Sequence, residues 1–199
     1  MRLTLALTTA AALALSACGS RSEAPDGEGT AGAEAGATIP DEAMGTATGA
    51  MAGDTAAMPT TAQGFADAAA ASDMFEIESS RLAQTMAKNQ AVKDFASMLV
   101  TEHTKSTTEL KAAAGKATPA VTPAPKMTPQ QQSDLDALKN AGANFDTLYA
   151  QKQVPAHEKA LALLQGYAAN GDSEPLKAFA TKTAPVVEKH LAAARKLPM

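Results

Sequence analysis

The chain has 199 residues, one cysteine, no tryptophan and two tyrosines, and its 21 acidic and 17 basic side chains give a formal charge of −4. So mild an acidic balance leaves no basic footprint for nucleic acid and no polybasic cluster for electrostatic membrane docking. A lone cysteine offers no internal disulfide, so a palette rich in alanine, methionine and leucine must hold its fold by packing apolar helix faces.

The first segment reads as an address. Arg2 supplies a positive start, Leu3 to Leu15 an apolar run, and Ser16 and Ala17 the small residues that precede Cys18. The run is too short to cross ~30 Å of hydrocarbon, which takes about 20 residues. It resembles a bacterial lipoprotein signal, residues 1–17, with Cys18 lipidated as the first residue of the mature protein. Lipidation also removes a free thiol that is a liability in an oxidising compartment. Gly19 follows the cysteine, where an inner-membrane retention signal resembling that of enteric bacteria has aspartate. The expectation is therefore an outer-membrane lipid anchor, with the periplasmic side favoured.

Residues 18–61 are poor in large apolar side chains and rich in Ala, Gly, Thr, Glu, Asp and Pro. Such a segment cannot bury enough surface to offset its ordering entropy, and a disordered tether is expected. Its roughly 40 residues would span about 35 Å, at about 5–6 Å per square root of residue number. Met44, Met51 and Met58 recur every seven residues within it. They read either as a soft-metal tract or as a weak internal duplication.

Helical periodicity occupies 62–199. A first helix is predicted from about Ala62 to Ala87, with Phe65, Ala69, Ser72, Glu76, Ser79, Ala83 and Met86 on one stripe. After a turn at Asn89 and Gln90, a second helix runs from about Ala91 to Ala114, carrying Val92, Phe95, Leu99, His103, Thr107 and Leu110, with Gly115 as its stop. The prolines at 119, 123, 125 and 129 exclude a helix and impose an extended connection. Thr128 then caps a short helix with Pro129 at its first position, ending near Asn140.

From about Asn144 a long helix carries Leu148, Val154, His157, Leu161, Leu164 and Ala168, stops at Asn170 and Gly171, and is expected to kink or break at Pro155. Ser173 caps the last helix, whose stripe is Leu176, Phe179, Thr183, Val187, His190, Ala194 and Leu197, with a bend at Pro185. The prediction is all-α: a four-helix bundle of two hairpins joined by a Pro-rich connection.

The chain has three histidines, each on the stripe of a different helix: His103, His157 and His190. Folding each hairpin about its turn sets His103 opposite Ser72 to Glu76, and His157 opposite Thr183 to Val186, about one turn from His190. With Glu76 or Glu78 the three imidazoles form a candidate site for iron, copper or zinc. The alternative is three interior histidines, each satisfied by a carboxylate or carbonyl, with Glu102, Glu158 and Glu188 lining the solvent face. Carboxylate-bridged di-iron bundles need a Glu three residues before His on two helices; here those positions are Val100, Val154 and Val187.

Ordered segments carry a resemblance. Phe65 to Leu82, including Ala-Ala-Ala-Ser-Asp-Met-Phe-Glu-Ile-Glu at 69–78, is followed by Val92 to Ala96, Glu102-His103-Thr104 and Phe145 to Tyr149. Ala156 to Ala160, Leu176 to Ala180 and Glu188 to Leu191 complete the set. This chain resembles the domain of unknown function 4142 family over about Phe65 to Leu197. The resemblance implies a ferritin-like four-helix fold and an envelope setting, and no established reaction. That family is often labelled as outer membrane protein, yet outer-membrane integral proteins are closed barrels. Here the label can mean only a bundle in water held by a lipid anchor, as the charged Lys88, Lys93, Asp94, Lys105, Glu109 and Lys111 require.

No phosphate loop, nucleophile elbow, Cys-x-x-Cys or EF-hand loop occurs. The reading is a lipid-anchored envelope protein with a non-catalytic binding or envelope-maintenance role. Its alternative is a metal-binding or redox bundle using His103, His157, His190 and Glu76 or Glu78. A bundle face that recruits an envelope protein or polymer is a third reading, and it requires an exposed apolar patch.

Overall fold

A computed structural model describes residues 58–198. The signal segment, Cys18, Met44, Met51 and nearly all of the proposed tether lie outside the described residues.

Within them the chain forms five α-helices: α1 (Ala62–Met86), α2 (Gln90–Ala114), α3 (Pro129–Lys139), α4 (Phe145–Asn170) and α5 (Glu174–Ala194). Their ends have local causes. The Thr61 hydroxyl accepts from the Gly64 N–H at the start of α1, and the Asn89 side chain accepts from the Ala91 N–H at the start of α2. Thr128 and Gln131 satisfy each other's backbone N–H groups in a capping box, with Pro129 where no N–H is needed. Ser173 occupies the N-cap position of α5, but its buried hydroxyl bonds nothing there.

The α1–α2 turn is held from outside. The Asp146 carboxylate, in the first turn of α4, accepts from the Lys88 and Asn89 N–H groups at 2.9–3.1 Å. Pro155 does not break α4, nor does Pro185 break α5, since each helix continues past its proline. Each ring removes one backbone donor, and packing along the helix face outweighs that loss. No helix among the described residues is long and apolar enough to cross a membrane.

Packing defines a square. α1 pairs with α2 and α4 with α5, while α1 also packs on α4 and α2 on α5; the short α3 lies against α1 and α4. Phe65 near the start of α1 meets Tyr167 near the end of α4, so these neighbours are antiparallel. The connection after α2 therefore runs the length of the bundle, the single long crossover of ferritin-like folds.

The interior falls into two apolar cores. One holds Phe65, Leu110, Leu164, Tyr167, Leu176 and Phe179. The other holds Val92, Phe95, Leu99, Leu138, Phe145 and Tyr149 at the opposite end. Between them every long helix contributes buried polar residues: Asp73, Glu76, Ser79 and Ser80 from α1, His103 from α2, Gln153 and His157 from α4, and His190 from α5. This polar layer is where function is to be sought.

Candidate metal centre

All three histidines converge in that layer. His103, His157 and His190 are 4%, 1% and 3% exposed, and their ring centroids are 5.4–6.0 Å apart. One nitrogen from each ring lies within 4.8 Å of the other two.

Each ring has one nitrogen engaged by an atom that can only accept, and this fixes its tautomer. His103 Nδ1 donates to Asp73 Oδ1 at 2.8 Å, His157 Nδ1 to the Gln153 carbonyl at 2.9 Å, and His190 Nε2 to Glu102 Oε2 at 2.8 Å. The second nitrogens, His103 Nε2, His157 Nε2 and His190 Nδ1, are buried and have no partner. In the neutral ring each of these carries a lone pair. A buried acceptor left unbonded costs about 1–3 kcal/mol, so three in one layer require a reason.

A bound cation would supply one. Metal-bound imidazoles characteristically donate their other N–H to a carboxylate or carbonyl, the arrangement all three rings display. Three tetrahedral nitrogens bonded at about 2.0–2.1 Å stand about 3.4 Å apart, so closure around an ion needs a modest contraction. The carboxylates of Asp73, Glu76 and Glu102 surround the rings and favour positive charge. Glu76 is 1% exposed, lies 3.7 Å from His157 Nδ1, and has both oxygens unbonded.

The outer contacts are themselves fixed. Thr107 donates to the second oxygen of Asp73 at 3.1 Å, and Gln153 donates to the Ser79 hydroxyl at 3.3 Å. Burial pulls the His103 ring toward neutrality, but its bond to Asp73 and the charges of Glu76, Asp73 and Glu102 prevail and raise its pKa above 6.5. His190 goes the other way. Burial, resisted by the Glu102 bond and reinforced by the two neighbouring rings, holds it down at about 4.

Of the two glutamates proposed from sequence, Glu76 joins the layer. Glu78 is exposed and does not, because two residues along a helix turn the side chain to the other face. Glu102 was expected to line the solvent face, yet it bonds His190; Glu158 remains outside, paired with Arg195 at 2.8 Å, and Glu188 is exposed. Asp73 was not singled out from sequence. Its signal was its position three residues before Glu76, on the same helix face.

The sequence pattern of the family described as Domain of unknown function (DUF4142) matches residues 47–197. No curated protein matches the chain. Among solved structures, it is similar to CopM in the Cu(I)-bound form, with a TM-score of 0.58, and to CopM in the Cu(II)-bound form, with 0.59. Each is 18% identical, over 68% of this chain and 94% of that one. At that identity the likeness is one of fold, and it is the all-α bundle that they share. The family match spans both hairpins and all three histidines, and this chain therefore belongs to the DUF4142 family.

Proposed function

We propose that this protein is an envelope lipoprotein, anchored through Cys18, whose bundle binds a single transition-metal ion, copper above others, through His103, His157 and His190. One observation carries the reading: three buried, unpartnered ring nitrogens face one layer, each on an imidazole whose other nitrogen is already committed. Copper is favoured on two grounds. Imidazole suits it, and Cu(II) stands highest among the divalent first-row ions for a given nitrogen set. The solved structures of similar fold are copper-bound forms of CopM. With no Glu-x-x-His pairs, the centre is a one-ion site and not a bridged di-iron site.

The metal reading is preferred to recruitment of a partner by an apolar face. Met58 and Val186 are the large hydrophobic side chains exposed among the described residues, and two separated residues do not make a patch.

The test is metal analysis of the full chain purified without a histidine tag and exposed in turn to Cu(I), Cu(II), Zn(II) and Fe(II). Close to one copper per chain is expected, falling to traces when the three histidines are replaced by alanine. Trace copper in the parent, or full copper in the triple variant, overturns the reading. For the anchor, palmitate labelling of expressing cells should be lost in Cys18→Ala.

A further inference from the structure

A partly open cavity of about 40 Å³ lies between the four long helices beside the histidine layer, lined by Phe179 on the core side and by the exposed Val186 and the partly exposed Glu102 toward solvent. His103 and His190 form part of its wall; His157 does not. Most of the remaining wall is apolar, including Ala160, Leu163, Phe179 and Val187. Asp73 and Glu102 are the carboxylates that border it.

We propose that this cavity is the binding site of a small neutral molecule, of diatomic size, that takes the open coordination position of a metal held by the three histidines. The inference rests on the metal reading above and adds a ligand to it. A structural metal site is closed by four protein ligands, whereas a site that admits an exogenous ligand keeps three and leaves one position open. Here three imidazoles converge and the space beside two of them is unfilled. A water occupies about 10–15 Å³ on this measure, so the space holds a molecule of two or three heavy atoms and little more.

The walls select its class. Apolar cavities stay dry and take up small apolar molecules, and hydrophobic walls do not replace the hydration shell of an ion. Two carboxylates on the wall also oppose an anion. Closely packed interiors rarely retain such a void, because filling it adds contacts; this one is lined by two of the three rings, His103 and His190. No electron transfer is required for the association: the incoming molecule donates a lone pair to the metal, and no bond within it breaks.

The experiment uses the full chain loaded with Cu(I) under argon, with carbon monoxide as the probe and its infrared stretch as the readout. One carbon monoxide per copper and a single sharp band are expected. Ala160→Leu fills the space without replacing a ligand, so copper should remain at one per chain while the band is lost. Thr183→Leu, from the α5 side of the lining, is the second filling variant in case the first does not fold.

Copper bound at full stoichiometry with no carbon monoxide band overturns this inference and leaves the metal reading standing. So does an unchanged band in a filled variant. Azide that perturbs the spectrum of the Cu(II) form overturns the neutral class of ligand. Failure to bind copper at all overturns both readings.

Discussion

Glu102 on α2 accepts a 2.8 Å hydrogen bond from His190 on α5, although the two are 88 residues apart in the chain. Asp73 makes the equivalent contact with His103 from α1, but in a different medium: the Asp73 side chain is 8% exposed and that of Glu102 is 42% exposed. Two rings of one cluster are thus aimed by carboxylates of unequal electrostatic strength, because water screens the second.

Asp73→Asn keeps shape and removes charge. Copper affinity should fall by about 10–100-fold, the usual effect of losing an outer carboxylate behind a metal-bound imidazole. Glu102→Gln should cost less, since solvent already weakens that contact. Competition titrations against a Cu(I) chelator, with helicity checked by circular dichroism, decide the order; a larger loss for Glu102→Gln contradicts it.

In the metal-free protein the rings should titrate apart. His190 is held at about 4, against an ordinary 6.5, so in the folded state it stays neutral well below the point where the unfolded chain takes up a proton. Its contribution to stability is present in full above about pH 6.5 and is lost as pH falls through about 4. His103, shifted upward, contributes in the opposite sense: its share is present below about pH 6.5 and is lost as pH rises through its folded value. Nitrogen-detected NMR of the imidazoles separates the two. Both rings titrating near 6.5 would refute the assignment.

The core away from the site is held by stacking. The Phe65 ring lies 4.0 Å from that of Tyr167 at an interplanar angle of 13°, with Phe179 edge-on at 6.3 Å. Phe65→Ala removes a fully buried ring and should lower unfolding free energy by about 3–5 kcal/mol, read from the urea midpoint at constant m-value.

Two glycines should respond to alanine for different reasons. At Gly171 the backbone is ordinary, but a Cβ would meet the Tyr167 ring at 2.5–2.7 Å, and the overpacking should cost about 1–3 kcal/mol. At Gly142 there is open space, but φ is +54°, a conformation that costs an L-residue about 1–2 kcal/mol. Thermal melts measure both. Only Gly171→Ala should also shift the absorbance of Tyr167, whose hydroxyl donates to Asp172.

Much of the fold was legible because period, caps and proline act locally. The Ala62 start, the Thr128–Pro129 cap and the Asn170–Gly171 stop all follow from side chains next to the backbone groups they serve. The three histidines were legible as one layer because hairpin reflection fixes depth to about a turn. The partners of the rings were harder. Asp73 and Glu102 look like the solvated acids common on helices, and whether such a residue turns inward depends on what the neighbouring helix places opposite it. At Pro155 the expected break does not occur: the local cost of the proline is legible in the sequence, while the packing that lets α4 continue past it is not.

The three rings come from α2, α4 and α5, so both hairpins supply donors to one point. An ion gripped there would rivet two halves that already pack through α1 on α4 and α2 on α5 and share one proline-studded strap. Binding the ion and keeping the halves together would then be linked equilibria, and a chelator should sensitise that strap to proteases.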